Sequence, residues 1–283
     1  MKGSDRLAWP YLFGLSMLVA LPAVAAFGLA FTEYSGLTSP EFTGLDNFSR
    51  MIGESQFWGS LGNSGIYIAI SVPLRLLAVV ALTLLLHSHF PGSSAGRASA
   101  YLPTVIPDVA YSLLWLWLLN PLYGPVAGIL ASLGLTSPAW LTEPTSARFA
   151  VAIMGVFQIG EGLVIALAAR RVLPEHLFEA ARVDGAGAWF TFKRITLPLL
   201  TPVLLLLTLR DVILALQLNF VPALLMTDGG PRQATTFLPL YAYRQAFRYF
   251  RLGYASAVTL TMFVVTGLAI YALYRMSKRW RLA

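Results

Sequence analysis

Residues 179–202 read EAARVDGAGAWFTFKRITLPLLTP, and no other long segment after Leu7 combines charges, glycines and a helical apolar pattern. A strongly hydrophobic run lies on each side of it, so a polar element is held between two candidate membrane helices. Leu177, Phe178, Ala181 and Val183 form a modest apolar patch. Asp184-Gly185 is a turn signal, and Leu197-Pro198 is expected to close the segment because proline disfavours helix at the residue before it. A polar element in that position invites a partner. The plain alternative is an amphipathic loop lying on the bilayer surface.

Outward from this stretch the chain is 57% hydrophobic and 12% charged over 283 residues, with a mean hydropathy of +0.68. Runs of about 20 apolar residues cross a bilayer, and several are present, which leaves no room for a separate soluble domain. Cysteine is absent, so disulfide and thiolate chemistry are excluded. The net charge of +7 is carried at the ends of spans rather than in a stripe, and it reads as a topology signal, not a nucleic-acid surface.

Six spans are expected, at 7–31, 64–86, 98–119, 147–169, 199–226 and 254–276, making one transmembrane domain over 1–283 with the polar loop at 170–198. With the N-terminus inside, the inner segments hold Lys2, Arg6, Arg170, Arg171, Arg182, Lys193, Arg194, Lys278, Arg279 and Arg281, with Arg97 and Arg275 at span ends. The outer segments hold Arg50, Arg232, Arg244, Arg248 and Arg251, with Arg148 at an end. Twelve against six places both termini and the 179–202 stretch in the cytoplasm. A rival reading of the first span is a signal peptide, since Lys2 and Arg6 precede an apolar run containing Ala-Val-Ala-Ala at 23–26. That run is long for a signal core, and Pro10 and Pro22 suit a permanent span.

The spacing Glu179-Ala180-Ala181, Gly185, Ile195, Leu197-Pro198 resembles the EAA loop of permease subunits from bacterial ATP-binding-cassette importers, and its surroundings resemble the carbohydrate branch. Phe42-Thr43-Gly44-Leu45-Asp46-Asn47-Phe48 is similar to a segment of sugar permeases, although Gly, Asn and Asp also make turns and the phenylalanines suit an interface. The third span opens Leu102-Pro103-Thr104-Val105-Ile106-Pro107 and leaves through Trp115 and Trp117 to Asn120-Pro121-Leu122-Tyr123-Gly124, again as in that family. Many relatives carry an asparagine shortly after this glycine; here Val126-Ala127-Gly128-Ile129 follows. Thr227-Asp228-Gly229-Gly230-Pro231, Tyr241 to Phe247 and Gly253-Tyr254-Ala255-Ser256-Ala257 resemble further family segments in the right order, so the likeness runs from Phe42 to Ala257.

The resemblance implies an all-α membrane protein with the six-helix permease fold of type I importers, in a bacterial or archaeal plasma membrane. It implies a coupling role for Glu179, Ala180, Ala181, Asp184, Gly185, Ile195, Leu197 and Pro198, with the loop folded as two short helices about the glycine. The implied partners are a second permease, two ATPase subunits that bind ATP and Mg, an extracytoplasmic solute-binding protein, and a sugar.

No phosphate-binding G-x-x-x-x-G-K-[ST] occurs, so an energy source must lie in another subunit. His87, His89 and His176 lack the company a metal site needs, and no nucleophile stands out beside a base. The chain is expected to be a non-catalytic translocation subunit without a cofactor of its own. Polar side chains inside spans are costly unless they face a partner or a wet cavity. Arg75 in the second span, Gln158 and Glu161 in the fourth, and Arg210, Asp211, Gln217 and Asn219 in the fifth meet that description. Gln158 and Glu161, three residues apart, are expected to share a helix face. By resemblance to the maltose permease, Gln158, Glu161, Asn219 and Val221 line the sugar path. Arg75, Arg210 and Asp211 read equally as structural charges, with Glu161 paired to Arg210 or Arg75. The alternatives kept open are a phosphate-ester cargo, which Arg75 and Arg210 would suit and Glu161 would oppose, and an ATP-independent transporter, which would often show two related halves.

Overall fold

Some of the apolar runs of this chain stay unbroken through prolines, and others break. The computed structural model describes residues 4–88, 90–217 and 219–280. Lys2, His89 and Arg281, used in the sequence reading, lie outside the described residues, as do the side chains of Arg6, Lys278 and Arg279. Among the described residues four helical stretches are long and apolar enough to cross a bilayer: Trp9–Leu29, Ser55–Leu86, Ala188–Thr227 and Leu252–Arg275. A fifth crossing is a bent pair, Pro144–Phe157 and Gly160–Val172, turned by 46° at the break. Over 98–119, where a span is expected, the chain forms two shorter helices, Ser93–Val105 and Asp108–Leu118. Ile106 between them is extended, at φ −73° and ψ 129°, because the ring of Pro107 disfavours helix at the preceding residue.

Several prolines sit inside long helical runs without stopping them, and two of these follow a wide turn. Pro22 follows a wide turn at Ser16–Ala20 in which the Leu21 N–H reaches back to the Ser16 carbonyl. Pro198 follows a second such turn at Phe192–Thr196, where the Leu197 N–H donates to the Phe192 carbonyl. A proline ring collides with the carbonyl four residues back, and one turn of π-type bonding gives that carbonyl room. This corrects the expectation that Leu197-Pro198 closes the 179–202 segment: the helix runs on through Leu197–Gln217.

The chain divides into two compact units, residues 1–61 with 238–268, and residues 62–237 with 269–283. In the first, strands Thr32–Glu33 and Glu41–Phe42 pair antiparallel, with Thr32 opposite Phe42. Buried Asn47 bonds to the Ala30 and Thr32 carbonyls at 2.9 and 2.8 Å, which gives the asparagine of the Phe42–Phe48 segment a structural task. Gly253 passes so close to this hairpin that a Cβ would lie 2.0 Å from the Thr32 carbonyl oxygen. Met51, Phe57, Leu238, Tyr241, Tyr254 and Val258 form the unit's core. At its edge the Glu54 carboxylate accepts from the Tyr241 and Tyr254 hydroxyls at 2.5 and 3.0 Å. Burial, and then the bond to Glu54, pushes the Tyr241 hydroxyl well above the usual tyrosine range, so it stays a donor.

In the second unit the Thr227–Pro231 turn is held from within. Asp228 and Gly229 take positive φ of 42° and 73°, the Gly230-Pro231 bond is cis, and the Thr235 and Thr236 hydroxyls donate to the Gly230 and Gly229 carbonyls at 2.8 and 3.1 Å. Asn63 then donates to the Gln233 carbonyl at 2.8 Å, and Arg148 donates to Asn63 Oδ1 at 2.9 Å and to the Ala234 carbonyl at 3.1 Å. Tyr111, Leu119, Ala150, Met154 and Met226 pack as one apolar cluster of this unit, and Val79, Ile159, Ala166 and Leu207 as another.

Candidate functional site

Three interrupted helices end around one cavity of about 150 Å³ in the second unit. Thr104 and Asp108 flank the break at Ile106-Pro107, Gln158 sits in the break before Gly160–Val172, and Asn219 precedes the short helix Phe220–Pro222. Non-helical backbone at membrane depth is tolerated where it is buried in protein or lines a wet cavity, and broken helices recur at transporter binding sites for that reason. Glycine makes the packing possible: a Cβ on Gly160 would lie 2.5 Å from Thr104 Oγ1 and 2.8 Å from the Tyr101 Cα. The Gly160 N–H donates to Thr104 Oγ1 at 3.0 Å, which satisfies one of the unpaired amides at that helix start.

The charged wall is a connected network. Arg75 donates to the Gln158 carbonyl at 3.0 Å through Nη2, capping the end of Pro144–Phe157 from the neighbouring helix. Its Nε is 3.6 Å from Asp211 Oδ2, an ion pair by distance but too long for a hydrogen bond. Arg210 donates to Asp211 Oδ1 at 3.2 Å and pairs with Glu161. Both guanidiniums are thus committed to carboxylates of this chain. Gln158 Nε2 lies 3.4 Å from Asp108 Oδ1, a long contact that is easily exchanged for another. Asn219 is 2% exposed, yet neither its amide nitrogen nor its amide oxygen has a hydrogen-bond partner. A buried polar group left without a partner costs about 1–3 kcal/mol, and here both the donor and the acceptor of a side chain lining the cavity are unspent.

Of the residues proposed from sequence for the substrate path, Gln158, Glu161 and Asn219 line the cavity, whereas Gln217 and Val221 are not among its lining. Gln158 and Glu161 do not share a face of one helix: Gln158 ends the first half and Glu161 opens the second, and the bend turns both toward the cavity. Tyr67, Thr104 and Asp108 were missed. The Pro103 and Pro107 pair signalled a break beside Thr104 and Asp108, but nothing marks Tyr67 in an apolar run.

The 179–202 stretch folds as Glu175–Val183, a turn, and Ala188–Thr191, the latter continuing through the wide turn into Leu197–Gln217. Gly185 N–H bonds the Arg182 carbonyl at 3.1 Å and Ala186 N–H the Ala181 carbonyl at 2.8 Å, the two-bond helix stop that needs a left-handed residue between them. Gly185 supplies it at φ 73°. Leu177, Ala180, Ala181, Asp184, Gly185, Phe190 and Ile195 line one side of this element, while Glu179 and Pro198 are exposed and Leu197 is half-buried. His87 Nδ1 lies 2.7 Å from the Leu84 carbonyl oxygen, His176 is exposed, and among the described residues no three His, Cys, Asp or Glu side chains come together.

Comparison with known proteins agrees with this architecture. Residues 86–282 match the family described as binding-protein-dependent transport system inner membrane component. The chain is 34% identical to a probable ABC transporter permease protein, YesP, of Bacillus subtilis, over 96% of this chain and 89% of that one. It is 31% identical to the trehalose/maltose transport system permease protein MalF of Thermococcus litoralis, over 90% and 87% of the two chains. In fold it is similar to a chain of a bacterial ABC transporter involved in the import of the acidic polysaccharide alginate, at a TM-score of 0.85 and 24% identity, covering 97% of this chain and 94% of that one. With its several apolar crossings and its permease fold, this multi-pass protein belongs to the family of binding-protein-dependent transport system inner membrane components.

Proposed function

We propose that this chain is the translocation subunit of an ATP-driven importer whose cargo is a carbohydrate, and that it switches access to the cavity when partner ATPases close on the loop at 170–198. The supporting observation is Asn219, a buried amide with donor and acceptor both unspent, beside Gln158 whose side chain holds only one long contact. Sugar hydroxyls both donate and accept, and amides satisfy them on both counts. Relatives named for trehalose and maltose transport add to the reading. The phosphate-ester alternative is disfavoured because Arg75 and Arg210 already pair with Asp211 and Glu161.

On this reading the broken span Ser93–Val105 with Asp108–Leu118 is the sixth crossing, both termini are cytoplasmic, and 1–283 forms one membrane domain. ATP and Mg belong to two ATPase subunits, a second permease completes the pathway, and a solute-binding protein delivers the sugar from outside. Glu179, Ala180, Ala181, Asp184, Gly185, Ile195, Leu197 and Pro198 form the coupling element. ATPase closure moves the helices only if the closed state binds the loop better than the open one does.

Asn219→Leu is expected to lower sugar uptake roughly tenfold, the loss of one or two hydrogen bonds, while the complex still assembles. The check is uptake by the reconstituted transporter with neutral disaccharides, uronates and phosphate esters as competitors. Competition by phosphate esters alone, or unchanged uptake by the variant, would sink the carbohydrate assignment. Glu179→Lys reverses a charge on the exposed face of Glu175–Val183. It is expected to leave the protein inserted while its ATPase partners no longer co-purify or no longer drive uptake. Normal uptake in that variant would count against the docking role.

A further inference from the structure

A second, larger hollow of about 880 Å³ lies where helix Ser55–Leu86 and helix Gly160–Val172 end, behind the Glu175–Val183 helix. Residues three and seven apart on a helix share a face, so Glu175, Phe178 and Arg182 look into this groove while Leu177, Ala180, Ala181 and Asp184 look the other way, into the coupling hollow. Arg170, Arg171 and Arg182 line the groove against one carboxylate, Glu175. None of the three makes an ion pair among the described residues, in contrast to Arg75 and Arg210. Arg170 lies over the Phe178 ring at 4.1 Å, and its Nε is buried without a hydrogen-bond partner. Leu84, Leu173 and Phe192 give the same groove apolar walls.

We propose that this groove binds the phosphate headgroup of an anionic phospholipid of the cytoplasmic leaflet. A cluster of guanidiniums selects phosphate, apolar walls at the ends of two spans accept the start of an acyl chain, and basic pockets between helices on the cytoplasmic side hold such headgroups. The site braces the coupling helix from the face opposite its partner. This inference rests on the inward orientation of the loop and not on the identity of the cargo.

The test uses the complete transporter in nanodiscs containing phosphatidylglycerol and phosphatidylcholine, with native mass spectrometry reading the phospholipid retained on this chain. Phosphatidylglycerol is expected to be retained over phosphatidylcholine, and Arg170→Gln with Arg182→Gln to weaken retention about tenfold or more. Arg170→Lys with Arg182→Lys is expected to keep much of it, and Arg171→Gln, at an exposed position, gives a milder loss with the least risk to folding. Equal retention of the two lipids, or glutamine variants that hold phosphatidylglycerol as the parent does, overturns the site. So does displacement by excess inorganic phosphate, which would make the ligand a soluble anion. Loss of ATPase subunits from the glutamine variants with lipid retention unchanged also overturns it, by making the groove a docking face.

Discussion

Alanine in place of Arg75 is expected to destabilise the protein by about 3 kcal/mol, near the low end for removing one partner of a buried ion pair. The low end applies because Asp211 keeps Arg210 at 3.2 Å. What is lost is the ion pair at 3.6 Å and the bond that caps the Gln158 carbonyl, in a place where the Arg75 and Asp211 side chains are only 11% and 6% exposed. In detergent the thermal midpoint should fall by roughly 5 °C, taking the usual size scaling. An unchanged midpoint would show that Arg75 is not a structural cation. A double variant, Arg75→Met with Asp211→Leu, separates charge from bracing. It removes both charges, so it should regain much of the stability while transport stays impaired, because the break at Gln158 has still lost its support.

Gly160→Val is expected to abolish transport. The added side chain meets not only Thr104 Oγ1 but the backbone of Tyr101 at 2.8 Å, and backbone cannot rotate aside. Forcing extra volume into such a contact costs about 1–3 kcal/mol or more, and separating the helices also breaks the Gly160–Thr104 bond. Gly162→Ala is the internal control. Its new methyl meets Val79 Cγ2 at 3.3 Å, a side-chain contact that a shift of a few tenths of an ångström relieves, with no backbone in the way. Uptake by reconstituted transporter should collapse in the valine variant and persist in the alanine variant. Equal uptake in the two would mean that the close approach at Gly160 does not shape the cavity.

The architecture was largely legible in the chain, and the cavity was legible in pieces. Apolar runs announce crossings by length, and the EAA-like spacing announces the polar element between two of them. Spacing misled where the backbone was irregular. Gln158 and Glu161 were assigned one helix face on a uniform helical period, which fails at a break; both still reach the cavity through a bend, and the glycines Gly155, Gly160 and Gly162 around it allow a local distortion without fixing where it falls. Pro198 was read as a stop because proline disfavours helix at the residue before it, yet one wide turn ahead of it restores the geometry. The partners of Arg210 and Arg75 depend on helix neighbours far apart in sequence. The sequence reading left Glu161 open between an ion pair and the sugar path, and its pairing with Arg210 is seen only in three dimensions.

The unbroken passage from Ala188 through the wide turn into Leu197–Gln217 has a mechanical meaning. At the helical rise, Arg210 lies about 33 Å along the axis from Ala188, so one continuous helical segment reaches from the 179–202 stretch to the charged wall of the cavity. A tilt of about 5° pivoting near Ala188 would carry Arg210 about 3 Å sideways, enough to break its pairing with Glu161. If partner subunits close on the loop as proposed, how firmly the wide turn at Phe192–Thr196 joins the helices on its two sides sets how much of that motion reaches the cavity.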